Sequence, residues 1–399
     1  MTDSVHATTG RTTPAADQGV WADLVGQQAA IEVLRRAVVG AAHAMTHAWL
    51  VTGPPGSGRS NAARAFAAGL QCPDGGCGVC RTCRTSLSGA HPDVTLISTE
   101  KLSIGVDQVR EYARRSMMAP TVGRWQVMIV EDADRITEAG ANALLKSVEE
   151  PAPATVWILC APTPEDVIPT IRSRTRALTL ATPRVRDVAA LLERRDGIDP
   201  TTADAAARAA QGHIGRARHL ARDEAARQRR RDVLRIPSHL GSLGACLRAA
   251  TTLVEAAAAE AGDQTAEIEV RERAALEQAL GVGTRGARPR NTAAALKELE
   301  DEQRLRVKRL QRDAIDRALT ELTTWYRDVL SVQLGTGADL VNVELAGAVA
   351  EEAARATPDR TIARIDAILA CREALEGNVA PQLAVESMLV SLGADEPLD

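Results

Sequence analysis

The sequence predicts an α/β domain built on a parallel sheet with helices on both faces, followed by two all-helical regions. Three observations predict it. A glycine-rich phosphate-loop pattern, GPPGSGRS from Gly53 to Ser60, sits between a short apolar run and a helix-forming stretch. Short apolar or β-branched runs alternate with helical patterns as far as residue 180. Beyond residue 184 the strand signals fade while helical spacing continues.

Residues 1–20 have no apolar core behind a basic end, which excludes a secretory signal, and read as a disordered tail. HAWLVTG then reads as a strand running into the glycine loop, and RSNAARAFAAGL as a helix with small residues toward the sheet. DVTLIS (93–98), WQVMIV (125–130), TVWILC (155–160) and RALTL (176–180) are further strands, separated by helical patterns such as VDQVREYARR and ANALLKSVEE. One α/β domain therefore spans 21–183. Val188, Leu191 and Leu192 begin a helical pattern that continues around Ala203 to Ala210 and defines a small helical domain over 184–225. A third, all-helical domain covers 226–395 and includes a charged insertion at about 258–310. Within it GVGTRGARPR (281–290) reads as a flexible basic loop. The segment from AALKELEDEQ to TTWYRDVL reads as one long helix, with its apolar face best defined from Ile315 through Leu319, Leu322, Tyr326 and Val329. Its first half is expected to project into solvent.

Composition narrows the function classes. At 399 residues and 45% hydrophobic the chain can bury two or three cores, and 2% aromatic content means that Ala, Leu, Val and Ile build them. A net charge of −4 excludes a uniformly basic nucleic-acid binder, so any DNA contact is local or shared with partners. No run approaches the roughly 18 apolar residues of a membrane span. Four of the seven cysteines cluster within twelve residues, which points to a metal site in a reducing, cytoplasmic compartment. Cys160, Cys246 and Cys371 read as buried small hydrophobes.

The residues that bear chemistry follow. Gly53, Gly56 and Gly58 let the loop curl, with Pro55 and Ser57, so that successive N–H groups face phosphate oxygens, and Ser60 is placed to ligate Mg²⁺. Arg59 stands where the pattern has lysine, and a planar guanidinium does not replace a compact ammonium. VMIVEDADR ends an apolar strand in carboxylates, but as Glu131 then Asp132, the reverse of the Asp-Glu order of an active ATPase. Misplacing a catalytic group by about 1 Å costs on the order of 100-fold. Both departures favour bound ATP or ADP with Mg²⁺ over efficient hydrolysis. Cys72, Cys77, Cys80 and Cys83 have the spacing of a closed, structural zinc site. Ser173 and Arg174, in TIRSRTRAL, read either as surface groups or as an arginine finger for a neighbour's phosphates.

Taken together, VWADLVGQ, GPPGSGRS, the four-cysteine module, HPDV, VMIVEDAD, NALLKSVEEP and SRT resemble the AAA+ clamp-loader subunits of bacterial DNA polymerase III, most closely the δ′-type branch. The resemblance is close over roughly 20–220 and weaker in LEGNVAPQLAVESMLVSL near the end. It implies an AAA+ domain, a helical lid and an all-α collar, assembled with motor γ/τ-type and δ-type subunits in a pentameric ring at replication forks. That ring opens a sliding clamp and places it on primer–template DNA. By the same resemblance Arg174, with Ser173, matches the finger that reaches the next subunit's γ-phosphate. Arg216 matches the sensor arginine of the lid, and Val25, Gly26 and Gln27 fall on the adenine side. The resemblance favours a non-motor, stator-like subunit that helps load the clamp. The alternatives are an ATP-hydrolysing motor subunit or self-sufficient P-loop enzyme, and a zinc-dependent DNA-binding module using TRGARPR. No polymerase active site is visible in the sequence.

Overall fold

The apolar runs of the first half form five strands: β1 (Ala48–Thr52), β2 (Val94–Ile97), β3 (Gln126–Val130), β4 (Thr155–Ala161) and β5 (Arg176–Thr179). All pair in parallel, in the order β2-β3-β4-β1-β5, with Leu50 opposite Leu159, Val51 opposite Leu178 and Ile129 opposite Ile158. Every residue of β1, β3 and β4 is buried, as a central parallel strand covered on both faces requires. The computed structural model describes residues 18–41, 43–99, 103–280 and 292–393. The expected N-terminal tail, save its last residues, and the basic loop at 281–290 lie outside these. Two units are separable, Met1–Arg222 and Asp223–Asp399.

In the first unit the helices are α1 (Gln28–Val38), α2 (Arg59–Gln71), α3 (Arg81–Ser88), α4 (Val106–Ser116), α5 (Glu138–Glu149), α6 (Pro169–Arg172), α7 (Val185–Asp196), α8 (Pro200–Ala209) and α9 (Ile214–Arg222). Strand alternation divides the core. Trp49, Val51, Ile129 and Ile158 pack with Phe66 and the α1 and α2 face, whereas Leu50, Met128, Trp157 and Leu159 pack with Val109, Leu144 and Val148 of α4 and α5. Trp49 meets Phe66 edge-on at 5.1 Å between ring centroids. Helices α7 to α9 follow the sheet, with Val188, Leu191, Leu192, Ala203 and Ala207 buried.

Asp93, just before β2, is 1% exposed, and its carboxylate accepts the N–H groups of Thr121 (2.6 Å), Val122 (2.8 Å) and Gly123 (2.6 Å). Burial alone would raise its pKa, but the three donors outweigh it and hold the carboxyl below its ordinary value. Such a group contributes stability that is complete above the unfolded-state pKa of about 3.9 and is lost as pH falls through the lower folded-state value. Asp93→Asn is therefore expected to cost about 2–3 kcal/mol at pH 7 in denaturant unfolding, with the difference shrinking below about pH 4.

The second unit is helical: α10 (Glu224–Arg235), α11 (Leu243–Ala279), α12 (Thr292–Gln333), α13 (Ala346–Arg355), α14 (Pro358–Glu376) and α15 (Pro381–Gly393). Its core gathers Leu253, Ile315, Leu319, Leu322, Trp325, Tyr326, Val329, Ile368, Val385 and Leu389. Asp328, wholly buried, ties down the segment before α13 by accepting from Val341 N (3.0 Å), Asn342 N (2.8 Å) and Asn342 Nδ2 (2.9 Å). The expected long helix is α12, and it pairs antiparallel with α11. Among the described residues the only buried one of α12 before Ala314 is Thr292, and charge pairs take over there, with Arg306 to Glu272 at 2.9 Å and Arg273 to Glu300 at 3.3 Å. The first half of α12 thus buries little, but it lies along α11 through these charge pairs rather than projecting alone into solvent. Among the described residues no helix is long and apolar enough to cross a membrane.

Candidate nucleotide site and cysteine cluster

The loop between β1 and α2 has the backbone of a phosphate cradle. Gly53, Gly56 and Gly58 all take positive φ, and Gly58 precedes α2 without a side-chain cap, so the first N–H groups of α2 stay available to an anion. Ser57 is 2% exposed, and its hydroxyl has no hydrogen-bond partner among the described residues. Arg59 does not point away. Its Nη1 donates to Gly53 O at 2.7 Å, folding the side chain back over its own loop.

The carboxylates at the end of β3 are differently engaged. Arg64 of α2 places Nε 3.0 Å and Nη2 2.8 Å from Glu131 Oε1, and the Glu131 side chain is only 16% exposed. Asp132 Oδ2 accepts a long bond of 3.5 Å from Thr99 N. Cys160, fully buried on β4, lies in the field of Glu131, Arg59, Asp132 and Arg64, and burial pushes its thiol up to about 12.

The turn into α9 closes on the loop. Ile214 N donates to Gly56 O at 3.3 Å, and a Cβ on Gly56 would stand 2.1 Å from His213 Cγ, so only glycine fits there. His213 Nδ1 accepts from Arg216 N at 3.1 Å, and burial, then Arg216 and Arg59, push the imidazole below its ordinary pKa. Arg216 is half-buried. Gln27 is a brace: Nε2 donates to Ala181 O at 2.7 Å and Ser57 O at 3.4 Å, while Oε1 accepts from Ala181 N at 3.1 Å. Gly26 takes φ +72°, with Pro183 and Asp187 beside it, and Val25 is half-buried.

Arg174 and Ser173 stand away from this loop, on the surface after α6. Arg174 Nε lies 2.5 Å from Glu149 Oε1, and Nη1 donates to Thr170 O at 2.9 Å and Ser173 Oγ at 3.1 Å. Its side chain is 41% exposed, so the guanidinium is held but reachable.

The four cysteines converge between α2 and α3. Cys72 Sγ lies 3.7 Å from Cys77 Sγ and 3.8 Å from Cys80 Sγ, and all four sulfurs lie within 4.8 Å of one another. A tetrahedral ion with bonds of about 2.3 Å needs sulfurs about 3.8 Å apart, so the donor set fits a metal ion. Cys72 and Cys83 are fully buried, and burial pushes the Cys83 thiol far up. Metal binding is what would let such thiols ionise. The module also anchors the chain before α1, since Val20 N donates to Gly76 O at 3.0 Å and Trp21 is buried against Gly69 and Gly76.

Sequence reasoning named the loop, the carboxylates and the cysteines, and the structure brings each group together. It missed Arg64 and His213. Arg64 had one available signal: it lies one helical turn after Ser60, on the same face of α2. His213 had none beyond its neighbour Gly212.

Comparison with known proteins gives a consistent picture. Residues 26–184 match the family described as DNA polymerase III, delta subunit, and residues 271–393 match DNA polymerase III, delta subunit, C terminal. The DNA polymerase III subunit gamma/tau of Mycobacterium tuberculosis is 38% identical over 44% of this chain and 31% of its own length. The subunit delta′ of Escherichia coli is 36% identical over 43% of this chain and 53% of its own length. The subunit delta′ of Pseudomonas aeruginosa is 38% identical over 32% of this chain and 41% of its own. The matched segment thus spans between about a third and a half of these relatives. A gamma-subunit-related protein of Thermotoga maritima superimposes over 72% of this chain and 99% of its own, with a TM-score of 0.33 and 19% identity.

Proposed function

Because this chain belongs to the clamp-loader family of DNA polymerase III subunits, we propose that it is a non-motor, δ′-like subunit that completes a loader ring and assists its neighbours. Its partners in this reading are γ/τ-type and δ-type subunits, and through the ring a sliding clamp and primed DNA. The observation that supports it most is the Arg59 bond to Gly53 O at 2.7 Å. The cation of the loop is engaged on the loop itself, and Glu131 is engaged by Arg64. A site so arranged is poor at organising the charges of phosphoryl transfer. Arg174, exposed and held by Glu149, supports the other half of the reading: a finger offered to an adjacent subunit. The cysteine cluster would hold structural zinc, whose four thiolate ligands leave no open position for chemistry.

Steady-state ATP hydrolysis by the purified full chain tests the proposal. Turnover at the level of blank protein is the expected result, with or without primed DNA. Hydrolysis matching a γ/τ-type subunit would overturn it in favour of the motor reading.

A further inference from the structure

The first unit carries a second concave site, at the other end of α2 from the glycine loop. A cavity of about 370 Å³ is lined there by Gln71, Pro73, Thr82, His91, Val122 and Arg124, with the backbone of Gly123. Arg59 begins α2 and Gln71 ends it, so about 18 Å of helix separates this cavity from the phosphate loop. Its wall is built in advance. Asp93 fastens the N–H groups of Thr121, Val122 and Gly123, while Gln71, 4% exposed, accepts from Arg124 N at 3.0 Å and donates to Trp125 O. A Cβ on Gly123 would collide with the Gln71 amide, so the wall passes close only as glycine. His91 and Asp93 belong to HPDV, a motif with no part in the nucleotide site.

The lining presents donors and almost no acceptors. His91 is 5% exposed, and its Nδ1 accepts from Asp93 N at 3.1 Å, so the neutral ring carries its hydrogen on Nε2. Burial, only partly opposed by Asp93, holds the imidazole below its ordinary pKa and therefore neutral at pH 7. The His91 Nε2–H, the Thr82 hydroxyl and the Arg124 guanidinium have no partner among the described residues, whereas both ends of the Gln71 amide are taken. One positive charge beside two neutral donors suits a monoanion, and Pro73 and Val122 suit a hydrocarbon group next to it. Val122 is 75% exposed and Arg124 is exposed, so the cavity opens outward and a bound chain could continue into solvent. We propose that this cavity receives the C-terminal residue of a partner protein, its carboxylate on Arg124, His91 and Thr82 and an apolar side chain against Pro73 and Val122. The assignment is independent of whether the glycine loop turns nucleotide over.

The test is fluorescence anisotropy of the full chain with a short peptide, fluorescein at its N-terminus and leucine at its C-terminus, made as the free acid and as the C-terminal amide. The acid is expected to bind about tenfold tighter than the amide, or more. Arg124→Ala is expected to remove that difference. Arg124→Lys keeps part of it, because an ammonium cannot form the two-pronged bond of a guanidinium. Thr82→Val is expected to weaken the acid about threefold and leave the amide unchanged. The Arg124 side chain is exposed, so its removal should leave the melting temperature unchanged. If it does not, Thr82→Val on the opposite wall carries the test. Equal affinity for acid and amide overturns the proposal, and so does acid binding untouched by Arg124→Ala or an absence of binding to the native chain. 4-Methylpentanoate has the same carboxylate and hydrocarbon without the peptide, and should displace the acid peptide about tenfold less effectively than the unlabelled peptide does. Displacement as effective as the peptide's own would overturn the assignment to a chain terminus.

Discussion

Arg174→Ala in the reconstituted complex is expected to lower ATP turnover at the site this chain completes by about 10³-fold or more, the usual loss when an arginine finger is removed. The reason is electrostatic. A guanidinium presented to a neighbour's γ-phosphate meets charge that spreads over oxygens only in the transition state, and no water dipole in the same place is equally fixed. The geometry suits that role, because Glu149, Thr170 and Ser173 hold the Arg174 side chain while it remains 41% exposed. Because its pairing is a surface one, the substitution should change the melting temperature of the isolated chain very little. The paired control is Arg59→Ala, whose effect on the complex should be small. Equal losses from both substitutions would mean that this chain's own site turns over. No loss from Arg174→Ala would mean that the exposed arginine serves no neighbour.

The second large effect is expected at the cysteine cluster. Cys77→Ser or Cys80→Ser should abolish stoichiometric zinc, measured by atomic emission. Structural zinc is worth about 10–16 kcal/mol in isolated zinc-finger peptides, so a loss of at least about 3 kcal/mol is a modest expectation for a domain with its own sheet core. For a unit of this size that is a drop of about 6–12 °C in melting temperature. The disturbance should be local at first. Val20 and Trp21 rest on Gly76 and Gly69 beside the sulfurs, so segment 18–24 should lose hydrogen-exchange protection before the strands do. Native chain purified without metal and melting identically in chelator would refute the metal assignment.

Both predictions were reachable from sequence, and the reason lies in how local their signals are. The cysteines fall within twelve residues, so their spacing fixes how the sulfurs can meet. The strands were legible because a parallel strand buried on both faces reads as an unbroken apolar run, as VMIV and TVWILC do. The long helix α12 was legible because its apolar positions from Ile315 onward keep one face.

What the sequence determined by itself is therefore the set of elements, the glycine loop, the inverted carboxylates and the sulfur cluster, all of them properties of short stretches of chain. Only the tertiary structure decided what those groups are doing. Arg64 reaches Glu131 across 67 residues because α2 packs on a sheet whose order, β2-β3-β4-β1-β5, sets β3 two strands from β1. His213 reaches Gly56 because the turn into α9 folds onto the loop, and Arg59 turns to Gly53 O within that enclosure. Periodicity reports which face of an element is buried but not which element buries it. The partner of a charge, and so the state of a site, is fixed only when distant segments share one low-dielectric space.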